Sequence, residues 1–125
     1  MRLVVGTAVV SVAVGTSAAL AGPWKVVGSG SASGDYAIAV ATAKTRSPSA
    51  VGLRLGATPN RQVTATWTLV CSEGTRVAST SGRFAAATPA LRVLRLPMAR
   101  PDTCIASGSV ASLGRGRVTI EIVTR

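Results

Sequence analysis

Residues 62–74 read QVTATWTLVCSEG, and their parity decides the fold class. Val63, Ala65, Trp67, Leu69 and Cys71 share one face, while Gln62, Thr64, Thr66 and Thr68 share the other. An apolar face alternating with a hydroxyl-bearing one is the period-two signature of a half-buried β-strand. The tetrapeptide SEGT, 72–75, closes the strand with a tight turn.

The same alternation recurs on both sides of this stretch. VGLRL, 51–55, directs Val51, Leu53 and Leu55 inward and Arg54 outward. RVTIEIVT, 117–124, directs Val118, Ile120 and Ile122 inward and Thr119 and Glu121 outward. YAIAVATA, 36–43, sets large Tyr36, Ile38 and Val40 against small Ala37, Ala39 and Ala41. TCIASGSVA, 103–111, pairs with the last strand through SLGRG. Three segments read less clearly. WKVVGSGSASG, 24–34, starts as a strand and dissolves into Gly and Ser, a flexible or edge segment. RVASTSGRFAAA, 76–87, is a weaker strand with Gly82 as its break point. LRVLRL, 91–96, places Leu91 and Val93 on one parity and Leu94 and Leu96 on the other, which a one-residue bulge would reconcile. Seven to eight short strands at this spacing, with no sustained helical period, predict an all-β chain. The expected form is an antiparallel β-sandwich, immunoglobulin-like in general plan, with a small closed barrel as the alternative.

The first 21 residues have a different character. Arg2 is the only charge before Lys25, an apolar run follows from Leu3, and Ala19 and Ala21 form an A-x-A cleavage pattern. This is the order of a secretory signal peptide. Residues 1–21 are therefore expected to be a leader, helical where it is ordered, and 22–125 a single β-sandwich domain. The alternative is an uncleaved N-terminal anchor, because Leu3–Ala21 is long enough to span a bilayer. Pro23 stands where a lipoprotein would need its cysteine, which argues against a lipid anchor. The expected location is secreted or on the exterior of the cell envelope.

Export gives the two cysteines their reading. Cys71 and Cys104 are the only pair in the chain, and each sits in a strand-like segment, so a structural disulfide is expected. Trp67, two turns of the pleat before Cys71 on the same face, is expected to anchor a core short of other large side chains. The chain has no histidine, which removes a Ser-His-Asp triad, a histidine-activated thiol and the usual zinc ligand sets. No catalytic residue, metal or cofactor is expected. Glu73 and Asp102 lie near the cysteines in sequence, but both occupy turn-like segments, where carboxylates cap or are solvated.

The chain carries 14 Lys+Arg against 4 Asp+Glu. A field of that sign favours anionic surfaces and polymers. The densest basic spots are LRVLRLP and GRGR, so Arg92, Arg95, Arg115 and Arg117 are the candidate basic patch. The expected partners are an anionic polymer of the cell envelope or another secreted protein. Nucleic acid is disfavoured, because the few aromatics do not interleave with the bases. A second reading is a secreted inhibitor of an extracellular hydrolase, presenting the proline-restricted loop PMARPDTC, 97–104.

The elements TWTLVCSEG, SGRF, TPALRVLRLP, PDTC and LGRGRVTI, behind a signal peptide, resemble small secreted β-sandwich proteins of high-GC Gram-positive bacteria. The resemblance covers roughly residues 50–125. It implies a sandwich and an exported location. That group has no established activity, so it implies no mechanism.

Overall fold

A computed structural model describes residues 23–125; the expected leader, 1–21, lies outside them. Eight strands follow one another: β1 (Lys25–Ser33), β2 (Ala37–Arg46), β3 (Val51–Thr58), β4 (Gln62–Glu73), β5 (Arg76–Ala87), β6 (Ala90–Leu94), β7 (Thr103–Ser112) and β8 (Arg117–Thr124). The turn after Cys71 is the pivot. Gly74 takes a positive φ of 60° there, a conformation glycine adopts without penalty. From this turn the chain folds back on itself. β4 pairs with β5, β3 with β6, β2 with β7 and β1 with β8, all antiparallel. Two further pairings, β3 with β8 and β4 with β7, roll this ladder into two four-stranded sheets. Their orders are β1-β8-β3-β6 (sheet A) and β2-β7-β4-β5 (sheet B). The architecture is an antiparallel sandwich with jelly-roll strand order. It shares with immunoglobulin domains only the general plan of two packed antiparallel sheets.

The core forms where the clearest alternations predict it. Leu53 and Leu55 of β3 stand opposite Ile122 and Ile120 of β8, Val51 and Val118 flank these pairs opposite Thr124 and Ala57, and the six apolar residues of the two alternations are all buried. Ala65, Leu69 and Cys71 face them from β4, with Ala106 and Val110 from β7. The partner face of β4 keeps Thr64, Thr66 and Thr68 in solvent, as the parity of the opening stretch requires.

β2 supplies its small face to the core. Ala39, Ala41 and Ala43 are buried, whereas Ile38 and Val40 point to solvent at 63% and 56% exposure. The reason lies in β1, which packs over β2 from the opposite sheet. A Cβ on Gly28 would come within 2.7 Å of the Thr42 carbonyl oxygen, and one on Gly30 would overlap that of Val40. Backbone approaches backbone here, so only glycine on one side and alanine on the other fit. GSGSAS, 28–33, therefore continues as an edge strand, one of the two readings its sequence left open.

Two other ambiguous segments resolve differently from the sequence expectation. β5 runs unbroken through Gly82. The Trp67 ring lies over that glycine, and a Cβ would stand 2.9 Å from Cζ2. β6 keeps one register with β3 and ends at Leu94, so no bulge is needed. Its inward positions are Ala90, Arg92 and Leu94, opposite Leu55, Leu53 and Val51. The sheet's one irregularity of register falls in β1, between Val26 and Gly28.

Candidate functional site

Cys71 and Cys104 form a disulfide with a Cα–Cα distance of 4.1 Å. They are directly opposed on neighbouring strands β4 and β7, so the bridge staples two strands of one sheet. Both are buried. Closing a loop of 33 residues is worth about 3–4 kcal/mol in the chain-entropy account.

Trp67 faces the core but is only half buried, packed against its margin. Its ring extends over Gly82 toward edge strand β5. Across the sandwich stands β6, shown by Arg92, whose guanidinium carbon lies 4.5 Å from the centre of the Phe84 ring. With five residues, β6 is too short to cover a twelve-residue strand. The fully buried bulk comes instead from Leu53, Leu55, Leu69, Ile120 and Ile122. Trp67 thus packs against the core at one of its edges.

The four arginines of the sequence-derived patch do not form one surface. Arg95 follows Leu94, which aligns through Val51 with Thr124 at the end of β8. Arg117 begins β8, seven residues away along the same strand, or about 24 Å at the usual rise. Arg115 lies beside it in the β7–β8 turn, where its carbonyl accepts a bond from Arg61 Nη1. Arg92 is turned inward onto Phe84. Spacing in the chain identified pairs of arginines but could not reveal that the roll sends Arg95 to one end and Arg115 and Arg117 to the other, with Arg92 between them.

The roll instead gathers a different set. One end of the sandwich is made by the 47–50, 74–75 and 95–102 connections together with the start of β1 and the end of β8. Lys25, Lys44, Arg46, Arg76, Arg95, Arg100 and Arg125 are all exposed at or near it. Its only carboxylate side chains are Glu73 and Asp102 among the described residues. Glu73 is paired with Arg76 at 3.0 Å. Asp102 caps the β4–β5 turn, accepting from Gly74 N–H through Oδ2 at 2.9 Å. Arg125 stacks over the Trp24 ring, 4.7 Å from its centre. The opposite end carries Arg61, Arg115 and Arg117 beside Asp35. The middle of the sandwich holds Arg83, Arg92 and an Arg54–Glu121 pair at 2.9 Å. The charge is therefore strongly polarised along the strand axis. The signal was absent from the sequence as a run, since the seven residues span positions 25 to 125.

Three of the four carboxylates are occupied with structure: Glu73 and Asp102 in the contacts above, and Glu121 with Arg54. No group of three or more His, Cys, Asp or Glu side chains is placed to hold a metal among the described residues. The 97–104 loop sends Met98, Pro101 and Cys104 into the interior. It is tied at Asp102, whose carbonyl accepts from Ser47 N–H and whose N–H donates to Ser72 O, each 2.8 Å. Only Ala99, Arg100 and Asp102 are exposed. No helix of the described residues is long and apolar enough to cross a membrane.

No protein-family model matches the sequence, and no curated protein matches it either. Among solved structures, a similar chain is a carbohydrate-binding module, TmCBM61, in complex with β-1,4-galactotriose. The two align over 83% of this chain and 88% of that one, at 10% identity and a TM-score of 0.41. A likeness this loose carries no argument about what this chain binds.

Proposed function

We propose that this protein is an exported, non-catalytic binding domain that attaches to an anionic polymer of the cell envelope through its basic end. The observation that carries the reading is the gathering of seven exposed cationic side chains at one end, against two carboxylates already engaged in local contacts. Arginine is suited to such a role, because its guanidinium stays charged and forks onto carboxylate or phosphate oxygens. Several exposed cations acting on a polyanion add up, where a single surface pair contributes little. The buried disulfide and the leader-like first 21 residues support an exported location. The absence of histidine from the sequence supports a binding role over catalysis.

The test is retention on immobilised poly-L-glutamate and on purified cell walls across a salt series. Retention is expected at low salt and is expected to vanish toward 1 M, where the Debye length is about 3 Å. Arg46→Glu/Arg95→Glu/Arg100→Glu should abolish it. Arg115→Glu/Arg117→Glu, an equal number of charges less one at the far end, should leave most of it. Equal loss in both variants, or retention indifferent to salt, would overturn the basic-end reading.

A further inference from the structure

The outer face of sheet B carries a second feature that charge alone does not account for. Its side chains fall in registered rows across β2, β7, β4 and β5. Val40, Ser109, Thr66 and Arg83 form one row, and Thr42, Ser107, Thr68 and Ser81 the next. β7 bears the short serines, between Val40 on one flank and the threonines of β4 on the other. The result is a shallow trough of about 340 Å³ lined by Val40, Thr66, Trp67, Thr68, Ser107, Gly108 and Ser109. That volume lies at the small end of the range for ligand sites, roughly 300–1,000 Å³. Trp67 and Gly108 point into the core, so they contribute floor and not wall.

We propose that this trough holds a sugar unit of an acidic polysaccharide, with its hydroxyls on Thr66, Thr68, Ser107 and Ser109 and its acidic group toward Lys44 or Arg83. The inference rests on the basic-end reading and specifies the polymer. Three features of the trough select that chemistry. Each Ser or Thr hydroxyl both donates and accepts, which complements sugar hydroxyls that do the same. Thr66 Oγ1 and Ser109 Oγ are already bonded at 2.8 Å, so that pair is oriented before a ligand arrives. Its remaining lone pairs and proton stay available, and an apolar occupant would leave them buried without partners. Val40, 56% exposed, offers an apolar wall to the C–H face of a sugar ring. The third feature is charge. Lys44 follows Thr42 by two residues on β2, Arg83 stands opposite Thr66 on β5, and no carboxylate occurs at the outward positions of this sheet. A polymer bound at the basic end extends onto this face by way of Arg46 and Lys44, the last outward positions of β2.

The experiment compares three probes on the full-length protein at low salt: polygalacturonate, poly-L-glutamate and dextran. The first is acidic and hydroxyl-rich, the second acidic without sugar, the third a neutral glucan. Two variants are used, because either alone is open to a folding artefact. Thr66→Val/Thr68→Val removes hydroxyls at nearly constant shape, and Ser107→Tyr fills the trough from a solvent-facing strand position. Circular dichroism and the melting temperature verify that each is folded. Polygalacturonate is expected to bind at least about ten-fold more tightly than poly-L-glutamate, equivalent to about 1.4 kcal/mol. Both variants should remove that advantage without changing poly-L-glutamate binding. If the two acidic polymers bind alike, and the variants bind both as the parent does, the trough is not a sugar site and the basic-end reading stands. If dextran binds as well as polygalacturonate, the requirement for an acidic sugar is overturned. If neither acidic polymer binds, both proposals fall.

Discussion

The two long edges of this sandwich are closed in opposite ways. Along one, β1 lies on β2 with Gly28 and Gly30 against the carbonyls of Thr42 and Val40, so the sheets meet with almost no side chain between them. Along the other, β5 and β6 stand apart, and the gap is filled by Trp67, Phe84 and the inward Arg92. The first edge tolerates no added atom, and the second is held by a buried Phe84, a partly buried Trp67 and an exposed Arg92. Packing at the glycine edge is all-or-none, whereas packing at the aromatic edge is graded.

Substitutions can break or sharpen that contrast. The largest effect is expected from Gly30→Val. Its Cβ has no room, and moving a backbone strand costs more than repacking a side chain, about 3 kcal/mol or more by urea denaturation. A loss below about 1 kcal/mol would mean that β1 does not sit this close to β2. Next is Trp67→Ala. Full burial of an aromatic would cost about 3–5 kcal/mol, and a half-buried ring at an edge should cost roughly half of that. A value in the full-burial range would place the ring at the centre of the core. The smallest is Arg92→Ala, expected near 0.5–1 kcal/mol for a part-solvated cation–aromatic contact. A double-mutant cycle with Phe84→Leu isolates that term, and a coupling indistinguishable from zero would remove the contact from the account of this edge.

Where one face of a strand is strongly apolar, its orientation was legible in the sequence. Val51, Leu53 and Leu55, and Val118, Ile120 and Ile122, go inward as their parity predicts. Pairing of Cys71 with Cys104 followed from the cysteine count and the expectation of export. That the bridge joins neighbours in one sheet did not, because pairing order is a property of the roll. The candidate site was least legible. The GRGR and LRVLRL arginines are close in the chain, yet the pairs part company by most of a strand length. The cations that do assemble come from five separate places in the sequence, since a jelly roll returns distant connections to the same end.

Alternation by itself assigned two faces to every strand, because successive side chains must point to opposite sides of a pleated chain. It also marked the threonine face of QVTATWTLVCSEG as the solvent side. Which face goes inward was decided by hydrophobicity alone only where the neighbouring sheet leaves room for bulk. In β2 the order is reversed: Ala39, Ala41 and Ala43 are inside while Ile38 and Val40 are outside. The physical reason is the backbone of β1, pressed against β2 through Gly28 and Gly30, which admits only methyl groups. Only the tertiary structure supplies that neighbour, and with it the exposed Val40 that walls the trough above the opening stretch.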